Sequence, residues 1–248
     1  MCRHLAYLGP PVTLRSLLHD PPYGLLRQSW APRDMRGGGT INADGFGVGW
    51  YPDGGDPVRY RRAQPMWSDT TLPELAAVTS APAVLAAVRS ATVGMPLHET
   101  AAAPFAEGRW LFSHNGVVRG WPDSLAPLAA ELPVRDLLTL EVPTDSAVLW
   151  ALVRHRLRAG ETPGEAVAGT VARVAAAAPG SRLNLLLTDG STVAASVAGH
   201  ALSVRRGPGS VVLASEPYDD DTAWQPVPDG RLVLATAAGL DVRELTTA

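Results

Sequence analysis

Three textures follow one another along the chain. Up to about residue 118, short apolar runs are separated by turn residues. "RHLAYLG" (Arg3 to Gly9) predicts a short buried strand. "DGFGVGWY" (Asp44 to Tyr51) predicts a strand entered by an Asp-Gly turn, and "PVRYRR" its hairpin partner across "DGGD". "AVLAAVRSATVG" (Ala83 to Gly94) starts as an apolar strand and ends in polar residues, and "RWLFSHNGVV" (Arg109 to Val118) predicts a strand with a turn inside it. Among these, "TLRSLLHD" predicts a short helix capped by Thr13, and "LPELAAV" a second. Residues Pro21 to Thr40, rich in Pro, Gly and Arg, predict a long irregular loop; loops of that length in compact domains tend to be functional or mobile.

The period then changes to that of helices. "TDSAVLWALVRHRLRAG" has apolar residues at helical spacing, Thr144 or Asp145 as N-cap and Gly160 as C-cap. "TPGEAVAGTVARVAAAAPG" predicts a second helix, closed by Pro179 and Gly180. From "SRLNLLLTDGSTVAASVAG" onward the texture is again that of strands, first a hairpin whose Asp189-Gly190 pair predicts a type I′ turn. "ALSVRR", "SVVLASEP", "GRLVLAT" and "DVRELT" predict further strands. Strands, two consecutive helices, then strands imply an α+β fold with mainly antiparallel sheets. No repeat or convincing linker divides the chain, so one domain over residues 1–248 is expected.

Composition narrows the chemistry. The chain is 46% hydrophobic and 18% charged with a formal net charge of −3, which gives no electrostatic case for nucleic acid or an anionic membrane. Every cationic side chain apart from His is Arg, so lysine Schiff bases and a phosphate-loop lysine are excluded. No apolar run approaches the roughly 20 residues of a membrane span, and no signal peptide is visible. One cysteine makes neither an intrachain disulfide nor a thiolate cluster, and the six histidines show no metal-ligand spacing. A cytoplasmic enzyme or binding protein without metal or cofactor is the expectation.

That one cysteine is Cys2. Removal of Met1 would leave it with a free α-amine, whose reference pKa of about 7.7–8.0 lies near neutrality. An amine beside its own thiol can take the thiol proton and return a proton to a leaving amine, so one residue supplies nucleophile and base. The plain alternative is a small buried residue at the start of a strand.

"MCRHLAYLG", "NADGFGVGWY", "RSATVG", "FSHNG" and "PTDSAVLW" occur in the order found in class II glutamine amidotransferases, and the chain resembles that family of N-terminal-nucleophile hydrolases. The resemblance implies a four-layer αββα sandwich. Within the family, "CRHLAYLG", "QSWAPR" and "RSATVGMP" resemble the amidohydrolases of ergothioneine biosynthesis, whose substrate is γ-glutamyl-hercynylcysteine sulfoxide. By this resemblance Cys2 is the nucleophile and Asn115 and Gly116 form the oxyanion hole, a side-chain amide and a backbone N–H aimed at one developing charge. Arg89 grips the glutamyl α-carboxylate, for which a planar fork is suited, and Asp145 binds the α-amine. Ser90 and Thr92 complete the pocket.

Each residue has a simpler reading beside it. Asn-Gly is a common turn, Arg89 suits a surface ion pair, and Asp145 suits a helix cap unless Thr144 takes that place. Asn42 and Asp44 are read as shaping the turn near Cys2, and His98 and His114 as structural or surface residues. The leaving amine implied by the resemblance carries a trimethylammonium, an imidazole and a carboxylate. Trp30 is the candidate for the cation, with Arg33 or Arg36 for the carboxylate; the alternative for Trp30 is a loop anchor.

The chain carries neither a phosphate-loop motif nor a dinucleotide fingerprint. Water is then the expected acceptor, and the expected partner a small γ-glutamyl compound. Two other readings stay open: a glutamine-hydrolysing subunit supplying ammonia to a synthase partner, and an inactive fold serving as a binding module.

Overall fold

The computed structural model describes residues 2–35, 41–52 and 55–245. β1 (Arg3–Thr13) runs through the middle of one sheet and exceeds the predicted Arg3–Gly9 strand, because its pairing resumes past an irregularity between Leu8 and Val12. Thr13 then caps α1 (Leu14–Leu18), its hydroxyl accepting the Ser16 amide at 3.2 Å. The predicted loop after it is not wholly irregular: α2 (Leu25–Gln28) forms one turn, with Leu25 and Gln28 buried. β2 (Phe46–Trp50) and β3 (Val58–Arg62) form the expected hairpin, α3 (Leu72–Val78) follows, and β4 (Ser80–Val88) pairs with both β1 and β2.

β5 (Phe105–Glu107) and β6 (Trp110–Val117) open the second sheet. β6 has no turn inside it: Asn115 and Gly116 pair with Asn184 and Leu183 of the neighbouring strand, so ladder pairing overrides the Asn-Gly turn preference. Two short helices the sequence pattern did not reveal, α4 (Ala126–Ala129) and α5 (Val134–Leu138), precede the long pair α6 (Asp145–Arg158) and α7 (Pro163–Ala177). β7 (Arg182–Thr188) and β8 (Thr192–Val197) form the hairpin, but its turn is not type I′. Gly190 has φ +87°, whereas Asp189 does not reach the left-handed region a type I′ turn requires of both central residues. The Asp189 carboxylate instead accepts the amides of Ser191 (2.9 Å) and Thr192 (2.8 Å), closing a longer loop. β9 (Ser203–Gly207), β10 (Ser210–Ala214), β11 (Gln225–Pro226), β12 (Arg231–Thr236) and β13 (Leu240–Glu244) complete the chain.

Among the described residues the strand orders are β11-β9-β10-β1-β4-β2-β3 and β13-β12-β8-β7-β6-β5, and every pairing is antiparallel. Alternation along each strand sends side chains to opposite faces. Ala6, Leu8 and Leu85 of one sheet meet Leu111, Leu186 and Val233 of the other. Leu5 and Tyr7 turn outward onto Leu14, Leu18 and Leu72 of the first helical layer, while Phe112 and Leu185 turn outward onto Trp150 and Val167 of α6 and α7. The result is the four-layer αββα sandwich.

One glycine decides how the layers meet near the start of β1. A Cβ on Gly47 of β2 would lie 2.2 Å from the Ala103 carbonyl, so only glycine lets the 101–105 segment cross the sheet there.

Candidate active site

The start of β1 is fixed from both sides. β1 lies between β4 and β10, with Arg3 opposite Val88 and Leu5 opposite Ala214. On the β4 side, the Cys2 thiol donates to the Ser90 carbonyl at 3.7 Å. Arg89, the first residue past β4, donates through Nη1 to the carbonyls of Pro96 (2.9 Å) and Asp44 (3.4 Å). Asp44 returns the hold: its amide donates to the Arg89 carbonyl at 3.0 Å and its carboxylate accepts the Ala91 amide at 2.8 Å. Asp44 therefore shapes the segment that carries Arg89 and Ser90. Asn42 is tied to the α2 region instead, donating through Nδ2 to the Gln28 carbonyl at 3.0 Å.

On the β10 side stands a buried charge pair that the sequence reading missed. Arg3 and Glu216 are each 3% exposed, with Nε and Oε2 4.0 Å apart. The Arg3 guanidinium also donates to the carbonyls of Cys2 and Asp34, while Glu216 accepts the amides of Arg33 (3.1 Å) and Asp34 (2.7 Å). This pair binds the Cys2 backbone to the 33–34 loop. Its only sequence signal is an acid directly after an apolar strand, in "ASEP".

Cys2, Arg89, Ala103, Phe105, His114 and Ser146 line one small cavity of about 30 Å³, near the share of a single water in the liquid. His114, expected to be structural or at the surface, is thus brought to Cys2. Its Nε2 lies 3.0 Å from the Arg182 carbonyl, which only accepts, so Nε2 carries a proton, and Nδ1 is hydrogen-bonded to the Ser146 hydroxyl at 2.9 Å. His98 stays exposed and accepts the Thr100 amide at the start of a short 3₁₀ turn.

The other candidates do not line this cavity, though Asn115 and Asp145 adjoin His114 and Ser146, which do. Asn115, beside His114, is 1% exposed; its Nδ2 donates to Ser215 Oγ at 3.3 Å, and its Oδ1 has no partner among the described residues. Gly116 has no room for a side chain, since a Cβ would fall 1.8 Å from the Arg182 carbonyl. Thr144 takes the helix cap, accepting the Ala147 amide at 3.2 Å. Asp145, 7% exposed, is left to accept the amides of Val118 (3.1 Å) and Ser146 (2.7 Å), which fastens α6 to the chain leaving β6. Thr92 is exposed and lines a neighbouring groove of about 430 Å³ between residues 92–95 and 117–122.

Trp30 is not brought to this cavity. It packs edge-on against Trp67 with ring centroids 5.9 Å apart, and the Arg27 guanidinium lies 5.5 Å from its centroid, the arrangement of a loop anchor. Arg33 is engaged with Asp220 at 3.1 Å and stacks on Tyr23; Arg36 and Met1 lie outside the described residues.

His4 and His200 are poor bases. Burial, then the neighbouring His114 and His200, push His4 down to about 3; burial, then the guanidinium of Arg182, pushes His200 down to about 4. Among the described residues no group of acidic, His and Cys side chains is arranged to hold a metal, and no helix is long and apolar enough to cross a membrane.

Two facing antiparallel sheets under helical layers, with a cysteine at the start of a central strand, define an N-terminal-nucleophile hydrolase fold. Comparison with known proteins places it further. The profile of glutamine amidotransferases class-II matches residues 26–210. The γ-glutamyl-hercynylcysteine sulfoxide hydrolase of Mycobacterium tuberculosis (strain CDC 1551 / Oshkosh) is 44% identical over 249 residues, covering 100% of this chain and 98% of its own. The protein of the same description from Mycolicibacterium smegmatis is 44% identical over 94% of this chain and 95% of its own. A solved class-II domain protein from Silicibacter pomeroyi superposes with a TM-score of 0.71 at 26% identity, over 99% of this chain and 100% of that one. The phosphoribosylpyrophosphate amidotransferase of B. subtilis shares the fold at 15% identity and TM-score 0.69, with this chain spanning 50% of its length. The chain belongs to the class-II glutamine amidotransferases and, with them, is an amide-cleaving enzyme.

Proposed function

We propose that this chain hydrolyses γ-glutamyl-hercynylcysteine sulfoxide, releasing glutamate, with Cys2 as nucleophile once Met1 is removed. The observation that carries the reading is the meeting of Cys2 and Arg89 in one cavity at the adjoining ends of β1 and β4. The 44% identity of relatives so described supports the choice of substrate.

In this mechanism Arg89 holds the glutamyl α-carboxylate and Asp145 the α-amine, with Ser90 and Thr92 beside them. The Cys2 thiol gives its proton to its own α-amine and the sulfur attacks the γ-carbonyl. Asn115 Nδ2 and the Gly116 amide receive the oxyanion, the former exchanging its bond to Ser215. The ammonium returns the proton to the departing amine, leaving a γ-glutamyl thioester. Water, deprotonated by the same amine, cleaves the thioester and restores the thiol. His4 and His200 take no proton-transfer role, as bases near pH 3 to 4 are mismatched to neutral chemistry. Residues 1–248 act in this reading as one domain, in the cytoplasm.

The test is glutamate release, compared as kcat/KM, from the sulfoxide substrate and from glutamine. A large preference for the sulfoxide is expected, and Cys2→Ala abolishes turnover. A preference for glutamine instead means a subunit that feeds ammonia to a synthase. Native turnover by the Cys2→Ala protein overturns the mechanism, and no turnover of either substrate by the processed protein leaves a binding module.

A further inference from the structure

We propose that Ser215 is a positioning residue for the oxyanion amide: its hydroxyl fixes which end of the Asn115 side chain is presented to the developing charge. The proposal deepens the reading above, in which Asn115 Nδ2 receives the oxyanion, and rests on it.

β1 and β10 pair through Leu5 and Ala214, and the next residues out are His4 and Ser215. There a side chain completes the ladder. The Ser215 amide donates to the His4 carbonyl at 3.0 Å, as in any antiparallel pair, but the His4 amide donates to Ser215 Oγ, also at 3.0 Å. The hydroxyl donates back to the same His4 carbonyl at 3.2 Å. Ser215, 2% exposed, is thereby clamped to the main chain two residues beyond Cys2.

These bonds leave the hydroxyl one role toward Asn115. A serine oxygen has one proton to give and two lone pairs to fill. The proton goes to His4 and one lone pair takes the His4 amide, so toward Asn115 the oxygen only accepts. It accepts Nδ2 at 3.3 Å. The two ends of a carboxamide are nearly the same size, so packing alone does not tell them apart, and a hydrogen-bonding neighbour does.

Among the described residues no other group does this for Asn115. Ser215 is the one hydrogen-bond partner of its side chain there, and Oδ1 is buried without a partner. The neighbouring polar side chains are committed. Ser113 is bonded to His4 Nδ1 at 3.1 Å. Asn184, opposite Asn115 in the β6–β7 ladder, accepts the amides of Ala198 (2.9 Å) and His200 (3.1 Å) and donates to the His200 carbonyl (3.0 Å). A flipped Asn115 amide would set Oδ1 against the Ser215 oxygen and leave Nδ2 without an acceptor, both costly in a buried site. It would also offer the oxyanion an acceptor in place of a donor. The bond to Ser215 is long and neutral, so it orients the amide and still yields: hydrogen bonds to a charged acceptor are about twice as strong.

The experiment measures kcat and KM for γ-glutamyl-hercynylcysteine sulfoxide in wild type, Asn115→Ala, Ser215→Ala and the double variant, with rates referred to folded protein. Glutamine serves as substrate if wild type prefers it, since its γ-carbonyl needs the same oxyanion donors. Asn115→Ala is expected to lower kcat about a hundredfold, as loss of one oxyanion donor does. Ser215→Ala is expected to lower kcat about tenfold or more, with KM within about twofold of wild type. The double variant is expected to be no slower than Asn115→Ala, because a residue that acts only through Asn115 has nothing left to position. A merely structural serine multiplies its loss onto that of Asn115→Ala. Unchanged kcat in Ser215→Ala, a loss confined to KM, or multiplying losses in the double variant each overturn the proposal. Where Ser215→Ala does not fold, Ser215→Cys takes its place in both backgrounds, keeping the shape while its sulfur accepts hydrogen bonds only weakly. If Asn115→Ala itself keeps the wild-type kcat, the oxyanion assignment fails, and Ser215 loses its role for that separate reason.

Discussion

Asp44 and Arg89 hold each other across two strand ends: the Asp44 amide donates to the Arg89 carbonyl at 3.0 Å, and the Arg89 guanidinium donates to the Asp44 carbonyl at 3.4 Å. The Asp44 carboxylate completes the clasp by accepting the Ala91 amide at 2.8 Å. Removing that acceptor frees the segment that carries Arg89, proposed to hold the substrate's α-carboxylate. Asp44→Ala is expected to raise KM for γ-glutamyl substrates about tenfold, the worth of roughly 1.4 kcal/mol, with kcat less affected. Steady-state kinetics beside a melting curve checks this; an equal loss in kcat alone points away from a binding role.

Gly116 is required by space. A methyl group there meets the Arg182 carbonyl at 1.8 Å and His114 Nε2 at 2.5 Å, so β6 and β7 must part. Gly116→Ala is expected to destabilise the fold by about 3 kcal/mol or more, read by denaturant titration, because overpacking against backbone has no flexible side chain to yield.

Glu216→Gln tests the buried pair behind Cys2. The substitution keeps the shape but removes the charge facing Arg3 and one of the two carboxylate acceptors of the 33–34 amides. Breaking such a pair on one side typically costs about 3–5 kcal/mol. Lower stability is expected, together with lower kcat, since the same guanidinium donates to the Cys2 carbonyl. A variant as stable as wild type contradicts the role assigned to the pair.

The depressed histidines set a pH dependence. His4 at about 3 and His200 at about 4 in the folded state lie below the ordinary 6.5, so between about pH 4 and 6.5 the unfolded chain binds protons that the folded one does not. Their stabilising contribution is full above pH 6.5 and declines as the pH falls toward their folded values. Denaturant midpoints measured from pH 7 to 4.5 are expected to drop, with a shallower slope in His200→Asn. An unchanged slope in that variant refutes the assignment.

Much of this was legible in the sequence for local reasons. Apolar alternation placed most strands, Thr13 and Thr144 announced their helices, and Asp44 was readable as a turn residue near Cys2 because Asp-Gly preferences act over a few positions. The same local rules misjudged Asn115-Gly116 and Asp189-Gly190. In the first the ladder with β7 governs, and in the second the Asp189 carboxylate closes a longer loop.

By itself the sequence determined which chemistry was on offer: one cysteine at position 2, arginine as the only strong cation, and an ordered set of short motifs. Tertiary structure alone decided what stands beside that cysteine. His114 and Ser146, 32 residues apart in the chain, meet each other beside it, Asn115 reaches Ser215 across 100, and Arg3 pairs with Glu216. Trp30 went to Trp67. Such contacts follow from which strands lie side by side and how two sheets stack, which no local pattern encodes; burial between layers then sets which polar groups must pair.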